Sequence, residues 1–293
     1  MATQAAAQNT EAVKLQKRRK PIPWGTIFTL MILGVGALLM IAPFMWIISA
    51  AFGKTTEVFV LPPRWFPQNP SLENFEEVFN QVPYHLFMFN SVKLAVIVTI
   101  GQLITCSMAA FAFARLQFPG KNILFVILLS SLMIPGQITI VPLFILVRNL
   151  GLYNTHLALI LPGLINPFGV FLLRQYFVTI PTELEDAARV DGANVFTIYW
   201  RIILPLSGPV LTTLAILTFV GMWNAYFFPL IMINSPQLQV ITVGLTLLRG
   251  QYGAGALGPI AAALTMAIVP VLIVFLLLQK YIIRSVVSTG LKT

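Results

Sequence analysis

Few residues in this chain have the type and spacing needed for chemistry, and each apparent motif is incomplete. Gly53-Lys54-Thr55 ends like a phosphate-binding loop. That loop also needs a glycine five residues before Gly53, and position 48 is Ile48. Gly120-Lys121 is followed by Asn122, with Arg115 at the earlier position. Neither stretch can cradle a nucleotide. There is no Gly-x-Ser-x-Gly, no His-Glu-x-x-His and no carboxylate pair within an apolar run. Cys106 is the single cysteine, which excludes an internal disulfide and a Cys/His metal set. His85 and His156 flank apolar segments and read as interface residues. No catalytic residue, no metal and no cofactor bound by this chain is expected.

One polar stretch has a definite design. It reads Ile180-Pro181-Thr182-Glu183-Leu184-Glu185-Asp186-Ala187-Ala188-Arg189-Val190-Asp191-Gly192-Ala193. Thr182 and Glu185 have the spacing of a capping box. Glu183, Glu185 and Asp186 fall in a first turn, where the helix dipole favours negative charge. Glu185 and Arg189 are spaced to pair at i,i+4. Gly192 is placed to end the helix in a left-handed conformation. Asn194 can cap a second helix running to about Ile203, and Pro205 then opens the next apolar run. A helix, a sharp turn and a second helix are therefore predicted. Leu184, Ala187 and Ala188 share a small, smooth face. Such a face suits either close approach of a moving partner or plain packing on the chain's own bundle.

Such a segment must be held by its flanks, which are apolar. The chain has 293 residues, 58% hydrophobic and only 9% charged. Ordinary soluble domains carry about 25% charged residues. Six apolar runs near 24–51, 88–114, 122–147, 155–176, 207–232 and 257–282 are each long enough for the roughly 20 residues of a spanning helix. The first is far longer than a signal-peptide core and reads as a retained helix despite Ser49-Ala50-Ala51.

Charge sets the orientation. With the N-terminus inside, the inner side holds Lys14, Lys17, Arg18, Arg19, Lys20, Arg115, Lys121, Arg174, Arg189, Arg201, Lys280, Arg284 and Lys292. The outer side holds Lys54, Arg64, Lys93, Arg148 and Arg249. This asymmetry predicts cytoplasmic termini. It also accounts for the net charge of +9 through topology, so no nucleic acid partner is expected. The reading is an all-α integral membrane protein of about six spans. A tail at 1–21 precedes a membrane domain at 22–283, and a tail at 284–293 follows it. Within the domain, 53–87 is an external connection and 177–206 a cytoplasmic one. In the external connection Ser71 can cap a helix with Leu72, Phe75 and Phe79 on one face, either lying on the membrane or docking an external partner. A further helix is plausible near Leu238–Leu248. Lys93 lies near the outer end of its run and is expected to snorkel.

Residues 186–205 resemble the E-A-A-x-x-x-G-x9-I-x-L-P signature of permease subunits of binding-protein-dependent ABC importers. Asp186-Ala187-Ala188 stands for Glu-Ala-Ala, followed at the right spacing by Gly192, Ile202, Leu204 and Pro205. Asp186 is a departure that keeps the charge on a shorter arm. Asp191-Gly192-Ala193, Phe113-Ala114-Arg115-Leu116-Gln117-Phe118-Pro119-Gly120, Arg201-Ile202-Ile203-Leu204-Pro205-Leu206 and Trp223-Asn224 with Pro229-Leu230 resemble the carbohydrate branch, nearest the maltose-transporter-type small permease. The resemblance spans most of 70–290.

It implies that 177–206 carries a coupling helix, with Glu185, Asp186, Ala187, Ala188, Arg189, Asp191, Gly192, Ala193, Ile202, Leu204 and Pro205 in the ATPase-coupling loop. It also implies a homologous second permease, two ATPase subunits that bind ATP and magnesium, an external solute-binding protein and a location in the bacterial or archaeal cytoplasmic membrane. The C-terminal residues Arg284–Thr293 are implied as a second ATPase contact. Sugars, sugar phosphates and polyols remain open as solutes. The path itself needs polar or aromatic lining. Trp223, Asn224 and Tyr226 in the fifth span, and more weakly Gln137, are candidates; helix packing is the plain reading of the same residues. The alternative is an ion-coupled secondary transporter. Against it, the runs 124–147, 157–173, 208–232 and 258–278 contain no Asp, Glu or Lys.

Overall fold

The computed structural model describes residues 24–54, 65–252 and 257–290. The N-terminal tail, residues 55–64 of the external connection and residues 291–293 lie outside this set. Every regular element among the described residues is helical. Four helical segments among the described residues are long and apolar enough to cross a membrane, one of them (Leu157–Val178) interrupted near its middle, and two bent pairs raise the number to six if each is one span.

Helix α1 (Trp24–Phe52) is apolar on all sides and has Pro43 in its interior. The chain divides into two compact units, Met1–Trp46 and Ile47–Thr293. The second unit is built on α3 (Tyr84–Arg115), the longest proline-free helix described. Against α3 pack α7 (Pro167–Val178) and α11 (Gly208–Trp223). Helix α14 (Leu257–Gly290) packs on α11.

Burial on α3 recurs at Leu94, Ala95, Val98, Gln102, Cys106 and Ala110, which follow helical spacing. Its other side exposes Ile97, Ile100, Ile104 and Met108. An exposed aliphatic stripe of that length has lipid as its natural solvent. Contact with neighbours is close at two glycines. A Cβ at Gly169 would lie 3.0 Å from Cys106 Sγ and 3.1 Å from Leu214, and a Cβ at Gly244 would overlap the Phe87 ring.

Several spans are less regular than their hydropathy suggests. The third is a single apolar run in sequence, yet it folds as α4 (Lys121–Ser130), a 3₁₀ turn (Ser131–Met133) and α5 (Gly136–Asn149), with a bend of 104°. Pro135 causes this. It offers no N–H to the ladder and pushes Ile134 to φ −92°, ψ 114°. The fourth span breaks between α6 (Leu157–Gly163) and α7, at 164–166, between Pro162 and Pro167. The fifth stops at Trp223 and resumes as α12 (Phe227–Met232).

Helix α2 (Glu73–Gln81) forms as predicted, and Ser71 Oγ accepts from Glu73 N–H at 3.1 Å. The face that carries Leu72, Phe75 and Phe79 is only partly turned into the chain's own core, at Phe75. Leu72 and Phe79 are exposed, while Asn74 and Val78 are buried. Asn74 Nδ2 donates to the carbonyls of Ala51 (2.9 Å) and Gly53 (2.6 Å), so α2 rotates to satisfy the end of α1. A short 3₁₀ turn (Pro236–Leu238) and α13 (Ile241–Tyr252) complete the fold.

Candidate functional site

The 177–206 segment begins where α7 ends. Helix α8 (Glu183–Val190) follows Pro181 and Thr182. The predicted capping box does not form. Thr182 is itself helical, at φ −70°, ψ −22°, and its side chain caps nothing. Glu185 instead turns inward. Its Oε1 lies 2.5 Å from Nε of Arg115, the last residue of α3, with both side chains under one-tenth exposed. The contact is one of charge, without an aligned hydrogen bond at either atom. Arg115 also donates from Nη2 to the Ile180 carbonyl at 2.5 Å. On the outside, Arg189 reaches Asp186 at 3.2 Å and Glu185 at 3.9 Å.

The end of α8 follows the sequence closely. Gly192 takes φ +85°, its N–H donates to Arg189 O (3.0 Å), and Ala193 N–H donates to Ala188 O (2.8 Å). This pair of bonds is a Schellman turn. A Cβ at Gly192 would meet nothing within 4 Å, so glycine is needed here for its backbone angle alone. Asn194 caps α9 (Val195–Ile198), accepting from Thr197 N–H at 2.8 Å. The second limb continues through a wider π turn (Tyr199–Ile203) and α10 (Leu204–Leu206), then bends by 78° into α11 between Pro205 and Pro209.

Inward, Ala188, Ala193, Ile202 and Leu204 pack on a core that includes Cys106, Phe177, Tyr199 and Leu214. The Tyr199 hydroxyl meets Ser107 Oγ at 2.7 Å. Outward, Leu184, Asp186, Ala187, Val190, Asp191 and Pro205 are exposed. Ala188 therefore leaves the predicted smooth face, which consists of Leu184, Ala187 and Val190.

The other candidate residues are spread out. Trp223 is 4% exposed, stacked on Phe219 with ring centroids 6.1 Å apart. Tyr226 is half-buried against Phe227. Asn224 is exposed, and its Nδ2 donates to Val220 O at 3.0 Å within its own helix. Gln137 is exposed on α5. Beside the fifth-span break lies an apolar cavity lined by Ala158, Leu159, Pro162, Met222 and Phe228 among others. Its lining is poor in groups that bind hydroxyls.

Two polar networks have no local sequence signal. Gln102 on α3 donates to Gly163 O (2.6 Å) and accepts from Asn166 Nδ2 (2.8 Å) and Thr218 Oγ1 (2.8 Å). It thereby supplies polar partners at the fourth-span break. Nearer the other end of α3, Asn90 Nδ2 donates to Gln237 O (2.9 Å) and Gln239 O (3.0 Å), and Ser91 Oγ accepts from Ile241 N–H (2.7 Å). Lys93 does not simply snorkel: its ammonium lies 3.0 Å from His156 Nδ1. An ammonium only donates, so Nδ1 accepts and Nε2–H points to Leu238 O, at 3.0 Å. Asn154, at φ +59°, accepts from the N–H groups of Asn234 and Ser235 and donates to Ser235 Oγ at 2.7 Å. Residues 233–241 are thus clasped by side chains from two other elements.

Comparison with known proteins agrees with this architecture. Residues 102–288 match the family described as the binding-protein-dependent transport system inner membrane component. The chain is 37% identical over 256 residues to a probable ABC transporter permease protein, YurM, of Bacillus subtilis, covering 85% of this chain and 83% of that one. It is 35% identical over 259 residues to the arabinooligosaccharides transport system permease protein AraQ of Halalkalibacterium halodurans, covering 87% and 92%. A bacterial ABC transporter involved in import of the acidic polysaccharide alginate has a chain that superimposes with a TM-score of 0.76 at 25% identity, over 87% of this chain and 95% of that one.

Proposed function

This chain belongs to the family of inner-membrane components of binding-protein-dependent transport systems, and from that premise we propose that it is one permease subunit of an ATP-driven sugar or oligosaccharide importer. The observation that carries the reading is the mounting of α8. The helix presents Leu184, Ala187 and Val190 outward while the buried Glu185 anchors it on Arg115. A short surface helix with a small exposed face and a stiff buried mount is suited to receiving a push. The push comes from two partner ATPase subunits, which hold ATP and magnesium. The 177–206 segment and both termini face the cytoplasm, as the distribution of Lys and Arg supports. A homologous second permease completes the path, and an external binding protein delivers the solute.

The names of the relatives favour carbohydrate. The arabinooligosaccharide permease and the alginate importer both act on sugar polymers. The apolar lining of the fifth-span cavity supports a division of labour in which the partner permease makes most solute contacts. Asn224, Tyr226 and Gln137 are then residues beside the path, and Trp223 is a packing residue. ATP binding closes the ATPases, displaces α8 and opens the path outward; hydrolysis resets it.

Purification of the chain from its native membrane should bring the ATPase subunits with it. Gly192→Asp should abolish uptake and stimulated ATP hydrolysis while the chain still inserts. Ion-gradient-driven uptake in vesicles lacking the ATPase would sink this reading and favour a secondary transporter. The solute is found by titrating the cognate binding protein with sugars, sugar phosphates and polyols.

A further inference from the structure

We propose that Arg115 is a positioning residue that locks α8 to α3, so that displacement of the 177–206 segment is carried along α3 to the break in the fourth span. This rests on the reading of α8 as the ATPase-facing helix. Arg115 grips the segment at two points, the Ile180 carbonyl before the Pro181–Thr182 turn and the Glu185 carboxylate after it. Both partners of the ion pair are buried, at 8% and 4% side-chain exposure. The only other cation paired with Glu185 among the described residues is Arg189, at 3.9 Å and half-exposed. If α8 slid over the end of α3, the buried Arg115 charge would lose its carboxylate, and Glu185 would keep only the longer contact with half-exposed Arg189. An apolar contact would slip without that penalty. The pair therefore behaves as a fixed joint.

The far end of the rod is equally well attached. Gln102 lies thirteen residues before Arg115, or about 20 Å along a helix. Its side chain holds Gly163 and Asn166 across the fourth-span break and Thr218 on α11. The helix between the two attachments is continuous and contains no proline. By contrast, α1, α5, α6 and α14 each have a proline in the helix interior. A continuous rod with a charge joint at one end and a three-way amide joint at the other can move the break in step with α8.

The test uses the complete complex with its ATPase in lipid nanodiscs. Cys106 is replaced by alanine, and spin labels are placed at Glu183→Cys and Phe89→Cys, both exposed. Distances are measured without nucleotide and after trapping with ATP, magnesium and vanadate. With the native joint, the distance should hold within about 2 Å, the scale of ordinary helix shifts. Arg115→Glu should let it move by more than that, and the reversed pair Arg115→Glu/Glu185→Arg should restore it. The apolar pair Arg115→Met/Glu185→Met should uncouple the distance with no loss of thermal midpoint, which separates positioning from folding. A distance that shifts with the native joint, or that holds in both Arg115→Glu and the apolar pair, overturns the proposal. Failure of any ATPase to co-purify or trap nucleotide would overturn the importer reading itself, whatever the label distances.

Discussion

Two loops are fastened to the rest of the helices by opposite means. Near one end, the polar hold of α3 on the α8 segment is a single buried ion pair and one carbonyl contact at Ile180, and the outer face of α8 is open. Towards the other end, residues 233–241 have little regular structure and are clasped by Asn90, Ser91, Asn154 and His156 through main-chain atoms. The first arrangement concentrates its strength in one charge contact. The second spreads it over many modest hydrogen bonds, each worth about 1 kcal/mol net. A loop with one stiff joint can move as a body; a loop fastened at six of its nine residues is held in place. The difference in fastening is what the proposed role of α8 as a moving segment requires.

The contrast can be broken one joint at a time. Glu185→Ala should have the largest effect, because Arg115 is left as a buried charge without its partner. Loss of one member of a buried pair costs about 3–5 kcal/mol, and the fall in thermal midpoint measures it. Asn154→Ala should come next, at about 2–3 kcal/mol, since it orphans two backbone N–H groups and puts alanine at a positive φ. Uptake per folded molecule should survive that change.

Gly192→Ala should cost about 1–2 kcal/mol from the left-handed backbone alone. Here uptake should fall by more than stability predicts, which would sharpen the contrast; a proportional fall would erase it. Ser235→Ala should be the smallest change, about 1 kcal/mol, with only Asn154 Nδ2 losing its acceptor. Transport equal to the parent protein is the expected result.

The sequence was most legible where structure is decided locally. Gly192, Asn194 and the acidic first turn of α8 act through neighbours within a few residues, and their roles are as the spacing implied. The long apolar runs likewise needed only hydropathy. Glu185 was only half legible: the i,i+4 contact with Arg189 forms, at 3.9 Å, while the capping box with Thr182 does not. Its closer partner is Arg115, 70 residues earlier. A charge closing a long apolar helix was the signal available, but nothing in the spacing says which acid it meets. The bend at Pro135 had a visible cause, yet proline in a membrane helix gives anything from a slight kink to a full break. Neighbouring helices decide which, and they are not local. Trp223 shows the same limit, since an aromatic midway in a span can face a path or a core with equal ease.

The amide of Gln102 also bears on how the protein is made. The fourth span is the described span whose break exposes carbonyl groups at Gly163 and Leu164 to side chains of α3, and those carbonyls are taken up by Gln102 and Thr105. Residues 102–105 precede 163–164 in the chain, so a ribosome delivers the acceptor's partners to the bilayer first. The broken segment can then be docked as it emerges rather than waiting exposed in hydrocarbon, where an unsatisfied carbonyl costs several kcal/mol. Gln102→Leu should accordingly be felt during biogenesis, as slower maturation and greater degradation of nascent chains, before it is felt in the finished protein.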